Sequence, residues 1–278
     1  MGYILRLTEE NGYDIPFWIF ALGEVVPLNR SNRWRRINQT DIDFTSLEKV
    51  LGLEHSEFET MSWCLTNTER SVCISGNQIP SRLVRFNYPK ICPACLRQAN
   101  YCRKVWDLLL YTTCPFHEAL LIDICPSCHK RLTWSRARVS VCGCGYDWRD
   151  IELLRICKSE QRISRLLYHV CGYSLHEHLQ FEKTNNPLDG LTLNEICHVL
   201  LFFTERDPIT MAVCDISDPV PNAVSHDVLS SAYSIFDNWP RNFCSFIGET
   251  GQQVDETQLM SQLHRSISIC ESGVESEQ

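Results

Sequence analysis

No apolar run in the 278 residues is long enough to cross a bilayer. Runs such as Val199-Leu200-Leu201-Phe202-Phe203 are short against the ~20 residues that a spanning helix needs. No leader is expected either, because Arg6 introduces charge at the very start. The same Arg6 stands where a myristoylation signal beginning Met1-Gly2 requires Ser or Thr. There is no glycine-lysine loop of the kind that cradles phosphates, and His176-Glu177-His178 lacks the i, i+4 histidines of a metalloprotease helix. Basic residues are also in deficit, 26 against 34 acidic, for a net charge of -8, which argues against a simple nucleic-acid coating protein. These absences exclude a membrane span and two large enzyme classes. At 44% hydrophobic and 22% charged the chain reads as globular, with about two domains at ~150 residues each.

Cysteine, in contrast, is abundant, with sixteen in the chain. With no leader expected, a reducing cytoplasm makes metal ligation the natural use. Cys64, Cys73, Cys102, Cys157, Cys171, Cys197, Cys214, Cys244 and Cys270 are scattered and read as small buried apolar residues or inert surface thiols. The other seven fall in pairs: Cys92-x2-Cys95, Cys114-x2-His117, Cys125-x2-Cys128 and Cys142-x-Cys144. Each pair directs two donors at one point, and two pairs close the tetrahedron that zinc prefers. Sequential pairing gives Cys92/Cys95/Cys114/His117 and Cys125/Cys128/Cys142/Cys144, while spacing leaves an interleaved cross-brace open. Cys102 and His129 are weaker rivals as ligands. With four protein ligands each, two Zn2+ ions would be structural, since catalytic zinc keeps an open position. A deaminase reading of His55-x-Glu57 with Cys92-Pro-Ala-Cys95 fails because Ile91 stands where that signature has proline.

The expected fold is mostly helical around a central, loop-rich, zinc-stapled module. Residues 1–81 form an N-terminal helical domain, 82–149 the double zinc-finger module, 150–248 a C-terminal helical domain and 249–278 an acidic, partly disordered tail. Ile4, Leu7, Ile15 and Trp18 fit one helical stripe. Thr45 with Glu48, and Ser56 with Glu59, make capping boxes on either side of Gly52, the outline of a helix-turn-helix. Further helices are expected over 100–111, 151–172, 192–205, where Thr192 and Glu195 form a cap, and 225–237; a short strand is expected at Leu120-Leu121-Ile122.

Charge divides along the same segments. Residues 1–81 carry 7 basic and 11 acidic side chains, 82–149 carry 11 and 4, and 150–278 carry 8 and 19. Seven thiolates and two zinc ions would lower the middle segment from +7 to about +4. Phosphate contact is therefore expected from Arg82, Arg85, Lys90, Arg97 and Lys104, and from the cluster Arg30, Arg33, Trp34, Arg35 and Arg36, where an aromatic sits among guanidiniums. Arg103 reads as packing its stem on Trp106. The acidic last third is expected to meet protein instead.

The run "CPACL…YCRKVWDLLLYTTCPFHEALLIDICPSCHKRL…CGCGYDW" resembles the TniQ family of bacterial transposon target-selection proteins. The likeness extends to Tyr101, Arg103, Trp106, Leu120, Leu121 and Gly145, to the opening Tyr3-Ile4-Leu5-Arg6-Leu7…Asn11-Gly12, and to Asn238-Trp239-Pro240…Phe243…Phe246. Members usually have a lead-in before the first helix, whereas this sequence starts within it. The resemblance implies a non-enzymatic adaptor in the bacterial cytoplasm. It would join a target-recognition complex on DNA, such as an RNA-guided CRISPR effector, to the AAA+ ATPase that recruits the transposase, with a homodimer as an option. The competing reading is a stand-alone zinc-containing DNA-binding regulator using the helix pair around Gly52.

Overall fold

A computed structural model describes residues 1–25, 43–63, 71–74, 76–173, 186–204 and 220–249. Among them the chain is mainly helical, with two short two-stranded antiparallel sheets. Helix α1 (Gly2–Glu10) buries Ile4, Leu5 and Thr8. The predicted stripe does not continue through Ile15 and Trp18, which are 36% and 47% exposed. A separate helix α2 (Phe17–Leu22) turns Ile19 and Phe20 inward instead. It runs close to α3 (Thr45–Leu51), where a Cβ on Gly23 would lie 2.4 Å from that of Leu47. Only glycine allows that approach.

Helix α3 ends at Gly52, which takes the left-handed conformation (φ 67°), and α4 (Glu57–Met61) follows. The pair expected around Gly52 therefore forms, but its caps work differently. Glu48 does not reach back to the start of its own helix. Its buried carboxylate accepts from the N–H groups of Ser56 at 3.1 Å and Phe58 at 3.0 Å, so it caps α4 and ties the two helices together. At five residues α4 is shorter than the reading helix of a DNA-binding helix-turn-helix.

Strands β1 (Ser71–Ile74) and β2 (Asn77–Pro80) make a hairpin in the register Ser71↔Pro80 to Ile74↔Asn77. The central module follows. Helix α5 (Pro93–Gln98) opens with proline at its first position, where no N–H is needed. The two-residue strands β3 (Thr113–Cys114) and β4 (Ala119–Leu120) pair with register Thr113↔Leu120. Two sequence expectations are corrected here. Residues 100–111 hold only a single 3₁₀ turn, Lys104–Asp107, in place of a helix. The buried ammonium of Lys90 takes the carbonyls of Leu108 at 2.7 Å, Leu109 at 3.2 Å and Tyr111 at 2.6 Å, and so draws the acceptors of that stretch into a tertiary contact. The expected helix over 151–172 begins only at Arg162. Before it the backbone extends β4, with Leu120 N–H donating to Leu154 and Ile156 N–H to Glu118.

Helix α6 (Arg162–Val170) is strongly one-sided, burying Ile163, Leu166 and Leu167. Helix α7 (Leu193–Thr204) has the full predicted capping box: Glu195 accepts from the Thr192 N–H at 2.7 Å and its own N–H donates to the Thr192 hydroxyl. It packs on β2 and on α8 (Asn222–Ser234), and α9 (Arg241–Glu249) follows. Buried residues from Ile4 to Phe243 form one continuous apolar cluster, whose largest fully buried side chains are Trp106, Trp134, Trp148 and Tyr111. The expected boundaries at 81/82 and 149/150 thus fall within continuous packing. The acidic tail beyond 249 lies outside the described residues.

Candidate metal centres

The eight residues picked out by spacing come together as two groups of four, in sequential order: Cys92, Cys95, Cys114 and His117 in one, Cys125, Cys128, Cys142 and Cys144 in the other. Within each group all donor atoms lie within 4.8 Å of one another. In the first, His117 Nδ1 is 3.5 Å from Cys92 Sγ, 3.3 Å from Cys95 Sγ and 3.5 Å from Cys114 Sγ, with Cys95 and Cys114 Sγ 3.6 Å apart. In the second, Cys125 to Cys144 is 3.9 Å and Cys128 to Cys142 is 3.8 Å. Four ligands at ~2.0–2.3 Å from one tetrahedral ion are separated from one another by about 3.5–3.8 Å. Both groups fit a metal ion held by four protein donors.

Local backbone builds these half-sites. Cys92 precedes α5 and Cys95 lies in it, so one helical turn presents two sulfurs. The other three pairs are knuckles closed by a left-handed residue directly after the second ligand: Glu118 (φ 49°), His129 (φ 56°) and Gly145 (φ 92°). Hydrogen bonds lock them, from Cys125 N–H to the Lys130 carbonyl and from Cys142 N–H to the Tyr146 carbonyl, both 2.9 Å. His129, weighed as a rival ligand, is the exposed turn residue, and Cys102 lies in neither group.

Electrostatics separate the two. In the first group the Cys114 thiol, then the Cys92 thiol, donate to Cys95 and hold it far below the ordinary thiol range. Cys114, sharing hydrogen bonds with Cys92 and Cys95 while buried, is pushed far above it. In the second, burial opposes ionisation of Cys125, but the N–H groups of Cys128 and Ser127 outweigh it and bring this thiol to about 7. Cys144 is lowered chiefly by the N–H of Tyr146.

Residues 1–121 match the family model named TniQ. Over that stretch the chain is similar to the TniQ family. The matched part contains the whole first metal group of this TniQ region and stops four residues before the second. No curated protein matches the chain. The match supports, at family level, a transposition-associated adaptor. Among the described residues no helix is long and apolar enough to cross a membrane.

The basic residues expected at phosphate are dispersed in this fold. Arg82 and Arg97 are exposed, with Arg97 donating to the Arg149 carbonyl. Arg85 is buried and pairs with Asp123 at 2.8 Å. Lys90 is fully buried with its ammonium saturated by three carbonyls. Burial takes both away from any surface that phosphate could reach. Lys104 is half-buried, donates to the Ser62 carbonyl and lies over the Trp63 ring at 5.0 Å. The guanidinium of Arg103 lies over Tyr101 and Phe116 at 5.4 and 5.0 Å. Arg30, Arg33, Trp34, Arg35 and Arg36 lie outside the described residues.

Sequence reasoning overlooked what joins the module to its flanks. Glu9 of α1 accepts from the Asn100 side chain and the Val139 N–H, both 2.9 Å. Asn222, at the start of α8, donates to Asp123 at 2.9 Å and to the Thr112 and Leu121 carbonyls at 2.8 Å. Buried Arg136 lies over Trp148 at 4.9 Å. Neither period nor spacing marks such residues, because each acts across more than 35 positions of chain or from within a loop.

Proposed function

We propose that this protein is a non-enzymatic target-selection adaptor of a transposon, held in shape by two structural zinc ions. The observation carrying this reading is the TniQ match over 1–121 together with a complete four-donor metal group inside it. Zinc suits the chemistry: three thiolates with one imidazole, and four thiolates, are donor sets that this ion takes in tetrahedral sites with no open position. Bound zinc fixes the knuckles and the turns between them, and the protein's own residues carry the partner surfaces. One partner is the AAA+ ATPase of the transposon; the other is a target-recognition complex on DNA, of which an RNA-guided CRISPR effector is the type we favour.

Nucleic acid would meet the exposed Arg82 and Arg97 of the basic middle segment and the cluster Arg30, Arg33, Trp34, Arg35 and Arg36 of the first segment. Metal analysis of the fresh protein is expected to give two zinc equivalents. The adaptor should capture the AAA+ ATPase and bind DNA alone only weakly. Tight, sequence-selective, salt-sensitive binding of DNA without any protein partner would overturn this in favour of a stand-alone regulator.

A further inference from the structure

We infer that the second metal group is an oxidation site, at which a hydroperoxide converts thiolate ligands to a disulfide and releases the metal while the first group keeps its own. The inference rests on the metal reading above and follows from how differently the two groups are covered.

In the first, all three sulfurs are buried: Cys92 is 0%, Cys95 3% and Cys114 0% exposed. An oxidant reaches those sulfurs only after the core that buries them opens. In the second, Cys125 is buried, Cys128 and Cys142 are half-buried, and Cys144 is exposed in the turn Gly143-Cys144-Gly145, whose three residues are all open to solvent. Thiolate character and access together select which cysteine oxidises. Metal ligation supplies the first at both groups, and only the second group has the access.

A resolving thiol is also at hand. Cys125 Sγ lies 3.9 Å from Cys144 Sγ. The chemistry closes without any further reactant: the Cys144 thiolate attacks one peroxide oxygen, the O–O bond breaks and hydroxide leaves, giving a sulfenic acid. The Cys125 thiolate then attacks that sulfur, an S–S bond forms and a second hydroxide leaves. Peroxide gains the two electrons that the thiolates lose. The disulfide is a poor ligand, so the divalent ion departs. Cys73, Cys157 and Cys244 are also exposed, but among the described residues no second sulfur is recorded beside them, so they stop at the sulfenic acid.

Release need not unfold the chain, because Leu132, Trp134, Val139 and Trp148 belong to the common apolar cluster. What it loosens is local: the turn Trp148–Asp150, on which α5 packs and whose Arg149 carbonyl receives Arg97.

The test treats the full-length, metal-loaded protein with hydrogen peroxide, follows metal release with a chromogenic chelator, and maps disulfides by mass spectrometry. The expected result is release of one of two equivalents, a loss of two mass units, a Cys125–Cys144 linkage, and recovery on adding thiol and zinc. A Cys144→His variant, which copies the donor set of the first group, should hold two equivalents and release metal about tenfold more slowly; a Cys157→Ser, Cys244→Ser variant should release it as the wild type does. Release of both equivalents together, loss from the first group first, or an unchanged rate in Cys144→His would overturn the inference. Fewer than two equivalents before any oxidant is added would instead overturn the metal reading itself.

Discussion

The two metal groups use the same knuckle chemistry but are set into the fold in opposite ways. The Cys92–His117 group is walled by the core: its sulfurs are buried, Ile91 pairs with Ile122 beside it, and α6 reaches it through the Ser164 hydroxyl on the Thr113 N–H. The Cys125–Cys144 group stands on a loop whose far end is open to solvent. A metal inside the core organises that core. A metal at the rim shapes a loop whose apolar residues already have partners. The TniQ match includes the first group and stops short of the second, and the physical asymmetry runs the same way.

The largest effect should come from breaking this symmetry one ligand at a time. A structural zinc contributes about 10 kcal/mol or more of folding free energy, and a whole domain has only about 5–15 kcal/mol to lose. Cys95→Ser is therefore expected to abolish cooperative thermal unfolding and bind at most one zinc. Cys128→Ser should also bind one zinc, yet keep a cooperative transition at a lower Tm. Circular dichroism melts with metal analysis of both variants check this, and equal damage would show that the two groups carry the same share of the fold.

Two arginine–aspartate pairs, one buried and one exposed, invite the next comparison. Arg85 and Asp123 meet at 2.8 Å with side chains 2% and 6% exposed, and Asp123 further accepts from Asn222 and lies 3.9 Å from Arg131. Arg149 and Asp147 are closer, at 2.6 Å, but 45% and 24% exposed. Burial decides here, not distance. Asp123→Ala leaves a buried guanidinium unpaired and should cost about 3–5 kcal/mol, whereas Asp147→Ala should cost under about 1 kcal/mol. Urea titrations of the two variants measure the difference.

What was legible in the sequence follows from range. The metal pairs and the Thr192/Glu195 cap are local, because covalent spacing alone brings their atoms together. The Thr45/Glu48 box misled because Glu48 found N–H groups eight and ten residues ahead, at the start of the next helix. Residues 100–111 misled because Lys90 supplies a donor to their carbonyls from outside the window that a periodicity argument reads. The basic residues misled for a related reason: composition counts charge but does not say which way it points. Lys90 and Arg85 add to the middle segment's positive sum while contributing nothing to its surface. Lys90→Met should accordingly cost about 2–3 kcal/mol through three deserted carbonyls, and leave the salt dependence of any DNA association unchanged. A reduced salt slope would return Lys90 to the surface.

The smallest expected effect concerns a contact close to the first group. His226 of α8 is buried, and its Nδ1 lies 3.0 Å from the hydroxyl of Thr112, two residues ahead of Cys114. Burial holds its pKa below the usual 6.5, against the pull of Asp227 and Glu160 toward the charged form. Below about pH 6.5 the unfolded chain therefore binds a proton that the folded chain resists, so the stability contributed by neutral His226 is present above that pH and drains away as the pH falls. A neutral side chain there has no such proton to take up. His226→Gln should lose about 1 kcal/mol at pH 7.5 with the hydrogen bond, yet its stability should fall less than that of the wild type between about pH 6.5 and 5.5. Any other group that protonates in acid does so in both proteins, so the difference between the two urea-denaturation series at each pH isolates His226. Parallel curves would mean that the imidazole titrates normally and that the contact with Thr112 lends the first metal group no pH-dependent support.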